Sequence, residues 1–237
     1  MRVGITLPTF SADAAGVLRT AREAEEAGLD GVFVFDHLWP LRSPQRPSLT
    51  AYPVLGAVLA ATERIAAGTL VARLGLLPDE VVEASLAGLQ AIAGGRVIAG
   101  LGTGDSSSSA ENTAMGIPFA SAPARRERLA RLAARFRDAG LETWIGAGSG
   151  ATNEIARRTG VTLNVWDAAP EVVAAHVSEG HTVSWAGPLP KDGSAAAVLH
   201  ALAEAGATWA VWGWPRSVEL VVSTLAEGGI RPPRGGR

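Results

Sequence analysis

Eight short runs rich in Val, Ile, Leu and Thr recur along the chain, and alanine-rich stretches with the spacing of amphipathic helices lie between them. Each unit takes about 30 residues, the length of one strand plus one crossover helix in a parallel sheet. We therefore predict an α/β fold, a (β/α)8 TIM barrel with reduced insertions. The apolar runs cover residues 3–7, 31–35, 68–72, 96–101, 142–145, 162–165, 182–185 and 209–212. The helical stretches include residues 14–27, 53–66, 79–93, 125–139 and 194–205.

No linker rich in Pro, Gly or Ser divides the chain, so we expect a single barrel domain over residues 1–230. Residues 231–237 contain two prolines and two glycines, and we expect them to form a flexible tail. With 47% hydrophobic and 19% charged residues, the composition excludes an intrinsically disordered chain.

The charge balance excludes some classes of partner, and the cysteine content excludes some kinds of chemistry. The 21 basic and 23 acidic residues leave a net charge of −2, which argues against a nucleic-acid partner or an anionic membrane surface. The sequence has no cysteine, which excludes disulfides and thiol nucleophiles and fits a reducing compartment. Because it also has neither a long apolar stretch nor a signal-peptide pattern at its start, we expect a cytoplasmic protein.

Polar residues just after the predicted strands are the candidate catalytic groups, because such barrels carry their active sites at the carboxyl ends of the strands. His37, with Asp36 beside it, is the one histidine of the sequence at such a position. An imidazole there can transfer a proton near neutral pH, or it can be a structural partner of a neighbouring carboxylate. The sequence leaves both roles open. Asp105, after the fourth run, is the second candidate.

Metal chemistry at these strand ends is not expected. The carboxylates and the histidine could ligate an ion. However, hydrolase barrels that use a metal usually carry a His-x-His pair on the first strand, and Pro8 and Thr9 stand at that place here.

Two glycine-rich segments follow the fourth and fifth runs. Gly100, Gly102 and Gly104 let a flat ligand approach the backbone, but they lack the G-x-G-x-x-G spacing of a dinucleotide site. The segment 146–150 precedes a helical stretch, so its amides could hold an anion at a helix N-terminus. A tight strand-to-helix turn explains the same glycines equally well.

Seven tryptophans accompany a single tyrosine, and most of them fall at or just past predicted strand ends. At the mouth of a barrel they would form a flat apolar wall for a planar ring system, although plain packing accounts for part of the number. The predicted pocket residues are Trp39, Trp166, Trp185 and Trp212, with Trp214 next to them, whereas Trp144 and Trp209 are expected in the core.

An ordered set of motifs resembles the bacterial luciferase-like family over about the first two-thirds of the chain. The set consists of Asp36-His37-Leu38, Thr62-Glu63-Arg64-Ile65, Gly68-Thr69-Leu70-Val71, Gly94-Gly95-Arg96-Val97 with the later Gly102-x-Gly104, Met115-Gly116-Ile117-Pro118-Phe119 and Trp144-Ile145-Gly146. The resemblance implies a barrel that binds flavin mononucleotide (FMN) or the deazaflavin coenzyme F420. It also implies a cis peptide bond between Leu70 and Val71.

The Asp-His pair after the second strand looks like the F420-dependent branch. F420 exchanges hydride and activates oxygen poorly, so the implied activity is an oxidoreductase acting on a small organic substrate, with His37 and Asp105 as catalytic residues. The resemblance further implies a separate reductase that recycles the cofactor, and a homodimer is possible. The implied cofactor-binding residues are Asp36, Leu70, Val71, Gly102, Thr103, Gly104, Ser108, Gly146, Ala147, Gly148 and Ser149.

Some features depart from the family pattern. Asp105 stands where sugar-phosphate dehydrogenases of the family have a glutamate, and Trp39 precedes a proline that it follows in those enzymes. We therefore do not expect a sugar phosphate as substrate. An FMN-dependent monooxygenase and a barrel that binds a cofactor without turnover are the alternatives.

Overall fold

All strands of the described structure are parallel and belong to one closed sheet. The computed structural model describes residues 1–40, 43–215 and 217–229, and the predicted flexible tail lies outside them. Within these residues the strands are β1 Arg2–Thr6, β2 Gly31–Val34, β3 Ala66–Thr69, β4 Ala72–Arg73, β5 Val97–Gly102, β6 Glu142–Gly146, β7 Thr162–Trp166, β8 Val183–Pro188 and β9 Trp209–Gly213. The helices are α1 Ala14–Glu26, α2 Ala51–Ala61, α3 Asp79–Ala93, α4 Ser106–Ala114, α5 Ala122–Asp138, α6 Gly150–Thr159, α7 Pro170–Ser178, α8 Ala195–Glu204 and α9 Val218–Glu227.

The strand order confirms the predicted (β/α)8 barrel. It runs β3-β2-β1-β9-β8-β7-β6-β5-β4, and a pairing of β3 with β5 closes the ring. β3 and β4 are two pieces of one barrel strand, separated by a Leu70–Val71 peptide bond that is cis, as the family resemblance implies. In the described part of the chain, the helices are too short or too polar to span a membrane.

Aromatic side chains fill the inside of the barrel at its amino-terminal end. Phe33 stacks on Trp144 with ring centroids 5.0 Å apart, and Trp209 meets both rings edge-on. The two indole N–H groups donate to Oε1 of Glu142 at 3.1 and 3.2 Å, so these buried polar groups are satisfied. Trp144 and Trp209 are core residues, as predicted. Because this end is filled, open space remains at the carboxyl ends of the strands.

The prediction of a helix over residues 53–66 is wrong at its carboxyl end, where the helix stops earlier. The contacts of Arg96 explain the difference. α2 ends at Ala61, and Thr62 already has an extended backbone. The Arg96 guanidinium donates to the carbonyls of Leu59 and Thr62 at 3.0 and 3.1 Å, to Ile65 at 2.9 Å and to Ala93 at 3.1 Å. It thus satisfies carbonyls that the ends of α2 and α3 leave without partners.

Arg96→Ala should destabilise the protein by about 2–4 kcal/mol, because several carbonyl groups lose a charged donor at once. Urea denaturation measures this change. Arg22→Ala, at an exposed position of α1, is the matched control and should stay within about 0.5 kcal/mol of the parent. Equal stabilities of the two variants would contradict the assigned role of Arg96.

Candidate active site

A cavity of about 700 Å³ opens at the carboxyl ends of the strands, and its size is that of a site for a small molecule or cofactor. It is built from the segments that follow β1, β2, β3, β5, β6 and β9, together with Arg73 of β4 and the last residue of β7. Most of the site residues expected from the sequence line it. These are His37, Leu70, Val71, Gly102, Thr103, Gly104, Asp105, Ser108, Gly146, Ala147, Gly148 and Trp166.

Other expected site residues lie away from the cavity lining. Asp36 is buried behind it and accepts a hydrogen bond from the Arg73 backbone N–H at 2.9 Å. Burial raises the pKa of this carboxyl group, although that hydrogen bond acts in the opposite direction. Ser149 is the N-cap of α6 and accepts from the Thr152 amide. Trp39 is partly buried and is absent from the lining.

The structure places Trp185 and Trp212 in the core and not in the predicted pocket. The two indoles meet edge-on at 5.2 Å, and both are buried among residues that pack the strands against the helices. Side chains alternate between the two faces of a strand, and Trp209 and Val211 already take the inner face of β9. Trp212 must therefore point outwards, and its position near the strand end does not bring it to the mouth.

An aromatic wall, consisting of Phe10, Phe35, Trp166 and Trp214, forms one side of the cavity. Phe35 stacks on Phe10 at 5.5 Å and on Trp214 at 5.3 Å, and Trp166 meets Phe35 and Trp214 edge-on. Trp166 and Trp214 are 42% and 55% exposed, which leaves ring surface available to a ligand. Trp214 reaches the mouth because its φ of +48° turns the backbone away from the extended path of β9.

Small residues of the neighbouring strands make room for Val71. A Cβ atom on Gly102 would overlap with Cγ2 of Val71, and one on Gly146 would lie 3.4 Å from it. The cis bond, Val71 and these two glycines thus form a continuous surface across the ends of β4, β5 and β6. This surface of the cavity thus consists of the Val71 side chain and glycines.

Glu111 in α4 is the buried centre of the site and is not among the residues predicted from the sequence. Its carboxylate is 1% exposed. Oε2 lies 3.0 Å from Nδ1 of His37 and 3.0 Å from Nη1 of Arg73, while Oε1 accepts a hydrogen bond from the Leu38 backbone N–H. An ionised carboxylate can only accept hydrogen bonds, so the proton of a neutral His37 lies on Nδ1 and leaves Nε2 bare.

Arg73 lines the cavity and forms an ion pair with the Glu111 carboxylate. It is 6% exposed, its Nη1 also donates to the Ser108 carbonyl at 3.2 Å, and burial lowers the pKa of its guanidinium group. Among the described residues its Nε and Nη2 atoms have no hydrogen-bond acceptor. The Glu111 carboxylate is therefore the main compensation for a buried positive charge.

Asp105 lines the cavity and also caps α4. Its Oδ1 accepts from the Ser108 amide at 2.9 Å and from the Ser108 hydroxyl at 3.0 Å, and the Asp105 amide donates back to that hydroxyl. This capping box fixes the start of α4, five residues before Glu111. The serine run of the sequence is thus the first turn of a helix.

The loop after β6 leads into the N-terminus of α6 beside the cavity. Thr152 and Asn153 donate their amides to the Ser149 carbonyl, whereas the amides of Gly150 and Ala151 belong to the first turn, where helix geometry provides no acceptor. The segment is thus a tight turn, in which the Gly148 amide donates to Oδ1 of Asn153 at 3.1 Å, and the two first-turn amides are suited to an anion.

The fold and the site together define an α/β barrel with a cavity for a small molecule at the carboxyl ends of the strands. The family model of the luciferase-like monooxygenases matches residues 1–138, and the chain belongs to that family.

A named relative is consistent with this family. The chain is 42% identical, over 118 residues, to an F420-dependent glucose-6-phosphate dehydrogenase of Beutenbergia cavernae, a match that covers 49% of this chain and 32% of the relative. The chain thus spans about a third of the length of this curated relative.

Two solved structures share the fold at low sequence identity. An F420-dependent secondary alcohol dehydrogenase, in complex with an F420-acetone adduct, superposes with a TM-score of 0.78 at 16% identity over 97% of this chain and 99% of that chain. A monooxygenase from Streptomyces bottropensis superposes with a TM-score of 0.73 at 17% identity over 96% and 98% of the chains. The fold is therefore common to dehydrogenases and monooxygenases.

Glu111→Gln should destabilise the protein by about 3–5 kcal/mol, because it leaves the Arg73 charge buried without its partner. Chemical denaturation measures this loss. The control is Glu127→Gln on the exposed face of α5, for which a change within about 0.5 kcal/mol is expected. A loss at Glu111 no larger than that of the control would show that the carboxylate does not organise the site.

Proposed function

We propose that the protein is an F420-dependent oxidoreductase that transfers a hydride between the cofactor and a small organic substrate. One observation carries this proposal: a single cavity combines a histidine oriented by a buried carboxylate with a flat aromatic wall and an apolar surface of Val71 packed over glycines. The name of the F420-dependent relative, which is similar to half of this chain, supports the choice of cofactor.

The residues present fit a planar tricyclic ring. The aromatic wall offers flat apolar surface on one side, and the Val71 side chain, packed over Gly102 and Gly146, offers a second apolar surface. We assign cofactor contacts to the expected lining residues, and contact with a phosphate group to the start of α6. Asp36 and Ser149 would act from behind the lining, by holding the Arg73 backbone and by capping α6.

When bound, F420 supplies a ring carbon that gives or accepts a hydride. The residues of the chain have to hold the substrate and move its proton. His37 lines the cavity, and its Nδ1 is held by Glu111, so we assign proton transfer to Nε2. Glu111 orients the ring and stabilises the imidazolium that forms when Nε2 takes up a proton.

Asp105 is the second proposed catalytic residue, as a carboxylate that lines the cavity next to Gly104. For the substrate, we propose a small alcohol or ketone with apolar surface, because the aromatic wall forms one side of the cavity. We further propose a cytoplasmic location, a separate reductase that recycles the cofactor, and a homodimer; these three points rest on composition and on family resemblance.

The protein should bind oxidised F420 more tightly than FMN, because the Asp36-His37 pair is typical of the F420-dependent branch. Parallel fluorescence titrations of the purified protein compare the two dissociation constants. Tighter binding of FMN would favour a flavin-dependent monooxygenase of the same family. Absence of binding to both would overturn the oxidoreductase proposal.

His37→Ala should lower kcat by about 10²- to 10⁴-fold, the usual contribution of a general acid or base, while the affinity for F420 changes much less. Turnover with a panel of small alcohols and ketones, followed by F420 absorbance, provides the rate. His200→Ala, which changes an exposed histidine of α8, is the control. If His37→Ala loses stability and F420 affinity without a selective loss of rate, the histidine is structural.

A further inference from the structure

A second group of ionisable side chains lies outside the cavity, at the end of α7. His176 is in the last turn of this helix, Glu179 is its C-cap, and His181 follows just before β8. One ligand atom from each residue can be chosen so that all three lie within 4.8 Å of one another. A helix of such a barrel ends at the face where the next strand begins, so this group and the cavity lie on opposite faces.

Of these three residues, His181 gives the strongest indication of a bound ligand. It is 8% exposed, and its Nδ1 is buried without a hydrogen-bond partner among the described residues. Its backbone amide donates to the His176 carbonyl at 3.0 Å, which holds the turn closed. The two imidazole rings stand at 89° with centroids 5.5 Å apart. Burying an imidazole nitrogen without a partner is unfavourable, and a bound cation would provide the partner.

We propose that His176, Glu179 and His181 bind a divalent first-row transition-metal ion, with Zn²⁺ as the representative. Two imidazoles and one carboxylate form a common ligand set for such ions, and neither Mg²⁺ nor Ca²⁺ prefers nitrogen ligands. Three protein ligands leave a coordination position for water. The prediction that no metal is bound concerned the strand ends around the cavity, and this group lies outside them.

The geometry requires only a small adjustment. Tetrahedral bonds of 2.0–2.1 Å separate ligand atoms by about 3.4 Å. Nδ1 of His176 is already 3.3 Å from Oε2 of Glu179. The side chain of Glu179 is 61% exposed and can rotate towards the ion. Glu154 of α6 also lies near His181, but its carboxylate is paired with Arg157 at 2.6 and 2.8 Å, and we do not count it as a ligand.

A bound ion would connect the end of α7 with the residue that leads into β8. Its effect is therefore expected on stability and not on the chemistry of the cavity. A site of this kind is independent of F420, so its presence or absence leaves the proposed function untouched.

Calorimetric titration of chelator-treated protein with zinc chloride tests the proposal. We expect one ion per chain and, at a hundredfold excess over Kd, a rise in Tm of about 5–10 °C. Replacement of Zn²⁺ by Co²⁺ should give the visible absorption of a nitrogen- and oxygen-ligated ion. His176→Ala should reduce the affinity at least about tenfold, and His181→Ala should do the same. His200→Ala should leave it unchanged.

Glu179→Gln separates metal binding from packing, because the side chain is exposed and its replacement should not change the Tm of the metal-free protein. We expect about a tenfold lower zinc affinity for this variant. The proposal is overturned if the parent protein shows neither heat of binding nor a thermal shift at millimolar zinc. It is equally overturned if His176→Ala and His181→Ala retain the affinity of the parent.

Discussion

The site depends on one buried carboxylate. Glu111 sits almost without exposure to solvent between two segments that are far apart in sequence, and each of its oxygens is used. A charge in this position is stable only with compensation, and Arg73, the Leu38 amide and His37 provide it. The same contacts fasten α4 to the ends of β2 and β4. The contact that orients the His37 ring is thus one of the contacts that stabilise the buried Glu111 carboxylate.

The inside of the barrel has open space for this site at one end only. Trp144 and Trp209 fill the amino-terminal end, with their N–H groups satisfied by Glu142. At the other end, Val71 lies against glycines and the aromatic wall stays partly exposed. Flat apolar surface and the histidine therefore line the same open cavity, with the Phe10 and His37 ring centroids 6.2 Å apart, and this is the combination that the proposed hydride transfer with a planar cofactor needs.

Local sequence patterns predicted the fold and part of the site. The barrel follows from alternating strand and helix signals, and His37 stands out because strand ends define the mouth. Glu111 and Arg73 were missed because their importance comes from a tertiary contact. The one local signal for Glu111 is that it is the single charged residue of α4. Trp212 was misplaced because nearness to a strand end does not specify the face of the strand.

The protonation site of His37 tests the central claim most directly. ¹⁵N-labelled histidine and long-range ¹H–¹⁵N correlation spectra distinguish the ring nitrogens, and His37→Ala assigns the signals. At a pH where the imidazole is neutral, Nδ1 should carry the proton and Nε2 should be bare, because the Glu111 carboxylate accepts from Nδ1. A proton found on Nε2, with Nδ1 bare, would contradict the claim that Glu111 orients this histidine for catalysis.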